Sequence, residues 1–171
     1  MKLKALTAAF LLGSGAAMAA GSHAGGHGHD GGQMAGHGHA DMMQVGQPGI
    51  LEEASRTIEI TMRETSDGGM LFEPGDLKFK PGEIVHLRIH NAGEVEHEFV
   101  MDTHDNNEEH RKLMQKFPEM EHDDPNAVRL APGETGDIVW SFANTGTFQF
   151  ACLIPGHMEA GMHGPIRVQS N

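Results

Sequence analysis

From Ile50 onward, apolar and polar residues alternate in short runs. Ile58, Ile60 and Met62 alternate with polar neighbours in RTIEITMRE, Leu77 and Phe79 in DLKFK, and Val85, Leu87 and Ile89 in IVHLRIH. HEFVM, DIVWSF, TFQFAC and PIRV continue the series, and TFQFAC puts Phe148, Phe150 and Cys152 on one face. A period of two marks half-buried strands, and turn residues separate the runs. The Pro-Gly-Glu triplets at Pro81–Glu83 and Pro132–Glu134 are two such turns. The pattern predicts an all-β domain, an antiparallel sandwich or barrel, over residues 50–171, and about 120 residues suffice for one such core.

Two stretches depart from it. Residues 102–127, DTHDNNEEHRKLMQKFPEMEHDDPNA, form a charged insertion with a predicted helix from Glu108 to Lys116, capped by Asn106 or Asn107. Its imidazoles (His104, His110, His122), with the thioethers Met114 and Met120 and the adjoining Met101, read as solvated residues, with a second metal site as the sharper alternative. Residues 20–49 have no apolar period. They are rich in Gly, His and Met and repeat Gly-His-Gly-His at 26–29 and 36–39. Such a tract buries too little apolar surface to offset its chain entropy, so it is expected to be a disordered tail.

The first 19 residues have the form of a signal peptide. Lys2 and Lys4 precede an apolar run, and Ala17-Met18-Ala19 offers a cleavage site after Ala19. The run is too short to cross a bilayer, and no later segment is expected to span one. The expectation is export to a bacterial periplasm. Removing Lys2 and Lys4 from the 12 basic residues leaves 10 against 24 acidic ones. That balance argues against nucleic acid or an anionic membrane as a partner.

The single cysteine, Cys152, cannot pair within the chain, and a free thiol is a liability in an oxidising compartment. Occupation of its sulfur by a metal resolves this. The segment Cys152-Leu-Ile-Pro-Gly-His157-Met-Glu-Ala-Gly-Met162 adds imidazole and thioether at intervals of five residues. Two imidazoles, a thiolate and a weak axial thioether suit mononuclear copper in an electron-transfer geometry. The second imidazole must come from elsewhere, and His97, in GEVEHEF at a strand start, is the best candidate. Met158 and His163 are rivals to Met162 as axial donor. His86 and His90 share a strand face with Arg88 and read as solvent-facing.

The Cys-x4-His-x4-Met loop, the His-Glu-Phe upstream, the paired Pro-Gly-Glu turns and the Gly-Thr-Phe-x-Phe-x-Cys strand together resemble a cupredoxin over roughly residues 58–168. The His/Met-rich leader and charged insertion are most similar to the periplasmic copper-tolerance cupredoxins of the CopI type. The resemblance implies a Greek-key β-sandwich holding one type 1 copper near one end, with His97, Cys152 and His157 equatorial and Met162 axial. The tail reads either as a flexible linker or as a copper-collecting segment; its donors His23, His27, His29, His37, His39, Met34, Met42 and Met43 favour the second, because imidazole binds both copper oxidation states and thioether favours Cu(I). Copper ions are thus the expected partners, with extra copper held on the tail.

The expected function is copper tolerance by sequestration or redox handling. The alternative is an electron carrier serving a periplasmic redox partner. No nucleophile pair or general base is visible, so an enzyme is not expected, although Cu(I) oxidation is a third option. A multicopper oxidase would need a His-Cys-His, and Ala151 and Leu153 flank Cys152; a binuclear centre would need two cysteines.

Overall fold

The structure is a computed structural model that describes residues 43–118 and 124–170. The expected signal peptide, the tail donors up to Met42, and Met120 and His122 lie outside the described residues.

The described strands are β1 (Gln47–Pro48), β2 (Thr57–Glu64), β3 (Met70–Glu73), β4 (Leu77–Phe79), β5 (Glu83–Asn91), β6 (His97–Asp102), β7 (Ala127–Leu130), β8 (Thr135–Phe142), β9 (Gly146–Ala151) and β10 (His163–Val168). One helix, α1 (His104–Lys116), lies between β6 and β7. The strands form two sheets, ordered β1-β8-β5-β2-β3 and β4-β10-β9-β6-β7. The crossovers make the expected all-β sandwich. Not every pair is antiparallel, however: β2 runs parallel to β5, and β4 parallel to β10.

Alternation decides what lies between the sheets. Ile60 and Met62 of β2, Val85, Leu87 and Ile89 of β5, and Ile138, Trp140 and Phe142 of β8 are buried in one cluster with Phe99, Phe148, Phe150, Cys152 and Ile166 from the other sheet. Rings supply much of the filling. Phe79 stacks on Phe142 at 3.7 Å between centroids, and Phe72 meets Phe99 and Phe150 edge-on.

Both Pro-Gly-Glu triplets form the same turn. Gly82 and Gly133 take φ of 79° and 82° after a proline, as a type II turn requires. In each, the glutamate closes the turn twice. Its amide bonds back to the carbonyl of Lys80 or Ala131, and its carboxylate accepts the amide of that same residue.

Two boundaries differ from expectation. The folded unit takes in Met43–Gly49, which the sequence pattern places in the tail. Val45 is fully buried, Met43 packs against the core, β1 pairs with β8, and the Trp140 indole donates to the Val45 carbonyl at 3.3 Å. A lone Val in a polar stretch has no period to reveal it, but the buried indole needs its acceptor. The helix begins at His104, four residues before the expected Glu108. Thr103 caps it by accepting the Asn106 amide at 3.1 Å. Asn106 and Asn107 lie inside the helix rather than capping it, and buried Asn107 donates to Gln149 instead.

Helix α1 explains why β6 and β9 are buried on both faces. Their inner residues join the main core. On the outer face Val100 and Ala151 pack with Leu153 and the helix residue Met114 in a second, smaller cluster.

Candidate metal centre

Three segments converge at one end of the sandwich. Strand β9 delivers Cys152, β6 opens with His97, and the loop from Cys152 to Met162 carries His157. The loop is wound tightly. Pro155 and Gly156, the latter at φ 92°, form a turn closed by the His157 amide on the Ile154 carbonyl. The Met162 amide then bonds the His157 carbonyl, and the Cys152 amide bonds the Met162 carbonyl at 3.0 Å. The backbone alone therefore ties all three loop residues together.

His97, Cys152 and His157 each bring one donor atom to a common region, all within 4.8 Å of one another. The Nδ1 atoms of His97 and His157 are 3.2 Å apart, and His157 Nδ1 lies 3.3 Å from Cys152 Sγ. Cys152 Sγ also accepts the Glu98 amide at 3.4 Å. Cys152 and His97 are buried, whereas His157 is only half-buried. Glu64, at the end of β2, pairs with the far nitrogen of His97, Nε2, at 3.0 Å.

Burial pushes the Cys152 thiol up to about 12; the nearby Glu98 charge adds to this, and the amides of Glu98 and Ile154 oppose it. Burial also pushes His157 down, and the neighbouring His97 pushes the same way. For Glu64 burial works upward, but the amides of Glu94 and Val95, its own amide and His97 outweigh it and hold the carboxyl at about 2.

These residues fit a thiophilic metal ion. Bonds of about 2.0–2.1 Å to nitrogen and 2.3 Å to sulfur, as zinc shows, put neighbouring donors roughly 3–4 Å apart. The observed 3.2 and 3.3 Å fall there. Residues 59–169 match the sequence profile of copper-binding proteins of the plastocyanin/azurin family.

The chain belongs to that family. Copper is its metal. Among curated relatives of this plastocyanin/azurin member, the copper-resistant cuproprotein CopI of Rubrivivax gelatinosus is 42% identical over 144 residues, covering 84% of this chain and 85% of that protein. CopI of Pseudomonas aeruginosa is 32% identical, over 72% of this chain and 82% of that protein. Solved structures similar in fold include reduced auracyanin from Roseiflexus castenholzii, with a TM-score of 0.55 and 22% identity, over 67% of this chain and 98% of that one. Auracyanin B has a TM-score of 0.55 at 24% identity, over 71% and 94%.

Met162 is fully buried in the cluster that holds Cys152. Its rivals point elsewhere: Met158 packs on the smaller cluster under α1, and His163 is exposed. His86 and His90 face the outside of their sheet. His86 bonds Asp137 and Thr57, and His90 bonds the Glu134 carbonyl and Thr135. Met101 and Met114 are buried apolar residues of the two cores, which removes them from the second site considered for the insertion. Met43, counted among the tail donors, packs against the main core. Sequence reasoning missed Glu64. One carboxylate among 24 acidic residues, 33 positions before His97, carries no local signal.

Proposed function

We propose that this protein serves copper tolerance in the periplasm, where His97, Cys152 and His157 would hold one type 1 copper and Met162 would add a weaker thioether donor. The observation that carries this reading is the convergence of two imidazoles and one thiol within 4.8 Å at a buried strand end. The copper would supply one-electron exchange between Cu(II) and Cu(I). The chain supplies a preset frame. The loop turn at Pro155–Gly156 holds His157, the Glu98 amide orients the sulfur, and burial keeps bulk water from Cys152. A frame that does not rearrange suits both oxidation states. Tolerance is favoured by the two CopI relatives, whose names record copper resistance.

Electron transfer to a redox partner is the second reading. It is favoured by the half-buried edge of His157 and by Val95, an exposed apolar residue two positions before His97. We read the protein as a copper-binding and redox protein rather than an enzyme.

Copper-loaded protein should show an intense visible charge-transfer band that disappears in Cys152→Ser. A colourless wild type removes the type 1 assignment. A strain lacking the gene should become copper-hypersensitive while respiring normally, and the wild-type gene but not Cys152→Ser should restore growth. A respiratory defect at low copper would instead establish the electron-carrier reading.

A further inference from the structure

His97 begins β6, yet a residue from a different strand holds its ring. Strand β2 runs parallel to β5, with Met62 beside Asn91, so Glu64 projects past the point where the chain leaves β5. The connection from Asn91 to His97 is wound around two side chains. Buried Asn91 donates to the carbonyls of Val95 and Leu130 and accepts the Gly93 amide. Glu64 accepts the amide of Glu94 at 2.9 Å and that of Val95 at 3.1 Å, and pairs with His97 Nε2 at 3.0 Å. The fit is close on the remaining side. A Cβ on Gly93 would stand 2.6–2.9 Å from the Glu64 carboxyl group, so a side chain at residue 93 would have to displace that group.

An ionised carboxylate only accepts hydrogen bonds. Facing His97 Nε2, it requires the proton on that nitrogen and leaves the Nδ1 lone pair aimed at Cys152 and His157. Outer partners of this kind orient a ligating imidazole and raise its basicity. The same negative charge attracts a doubly charged ion more strongly than a singly charged one.

The geometry points to Glu64 as a positioning residue for the copper centre: its carboxylate fixes the tautomer and orientation of His97 and biases the bound metal toward Cu(II). This inference rests on the reading of His97 as a ligand. Glu64→Gln keeps the shape of the side chain and removes its charge. Its Cu(II) affinity is expected to fall 10- to 100-fold, as loss of an outer partner does. Cu(I) affinity falls less, so the reduction potential rises by about 59 mV for each tenfold difference between the two losses.

The test has two arms. In the first, reduction potential and Cu(II) and Cu(I) affinities are compared for the wild type and Glu64→Gln. An unchanged or lowered potential overturns the inference. The second arm uses metal-free wild type, so it stands even if the variant does not fold. Nitrogen-15 spectra should show His97 protonated on Nε2, with that proton slow to exchange, and a proton resident on Nδ1 overturns the inference. Failure of the underlying reading shows separately: wild type that binds copper without the Cys152 charge-transfer band overturns the ligand set, whereas the His97 tautomer is measured with no copper present.

Discussion

Cys152 carries its proton in the metal-free protein, because burial holds the thiol at about 12. Copper bonds the thiolate, so uptake must displace that proton. His157, pushed down by burial and by His97, arrives at pH 7 as a neutral donor and releases none. Titrating copper into weakly buffered protein with a pH indicator should therefore show about one more proton per metal for the wild type than for Cys152→Ser. Equal release would mean that the thiol is not a ligand. Met162 is separable by shape. Met162→Leu preserves volume and should cost less than about 1.5 kcal/mol, whereas Met162→Ala should cost about 2–5 kcal/mol in urea unfolding. If Met162→Leu leaves both spectrum and reduction potential unchanged, the axial assignment is wrong. At this scale Cys152 and His157 were legible because one short loop contains both. Glu64 was not, because its role exists only once parallel pairing of β2 and β5 brings it beside His97.

The elements show where local sequence suffices and where tertiary structure overrides it. Strands β2, β5 and β8 alternate in sequence and in burial because only one face of each meets the core. Strands β6 and β9 are harder to read, since α1 covers the face that would otherwise meet water. The helix also reaches the ligand loop: Arg111 bonds Glu108 on its own helix and Glu159, between His157 and Met162, at 2.6 Å. Met114→Ala should destabilise by about 2–5 kcal/mol, since its side chain is fully buried. Arg111→Ala should instead act on the loop, speeding amide exchange at Ala160 and Gly161 while leaving the strands unchanged; uniform exchange across both would separate the helix from the loop. The turn before β5 gives a pH effect. Burial raises Glu83, but the Lys80 amide, Arg56 and Ser55 outweigh it and hold its carboxyl below the usual 4.5. A depressed folded value contributes stability that is present above the unfolded value and lost as pH falls through the folded one. Glu83→Gln should therefore destabilise at pH 7 by about 1 kcal/mol or less, and by a smaller amount at pH 3. Equal losses at both pH values would assign the effect to packing.

For the whole molecule, the alternation that reveals the sandwich says nothing of where the chain joins it. Residues 43–49 look like tail, yet Val45 is fully buried, its carbonyl receives the Trp140 indole, and the Gln44 carbonyl receives the Asn144 amide group. A chain starting at Met43 should fold as the longer one does. A chain starting at Ile50 loses the Val45 side chain and leaves the indole without its acceptor, and should be less stable by about 2–5 kcal/mol in urea. The same boundary divides the copper. Three donors converge in the folded unit, so a chain from Met43 should retain one copper per chain after dialysis. A chain from Ala20 adds His23, His27, His29, His37 and His39 with Met34 and Met42, and should retain more than one. Metal analysis on the two chains decides it. Equal retention would confine copper to the sandwich and remove the tail from the case for tolerance. Excess copper that is lost with residues 20–42, while the visible band persists, would separate a collecting segment from the redox centre.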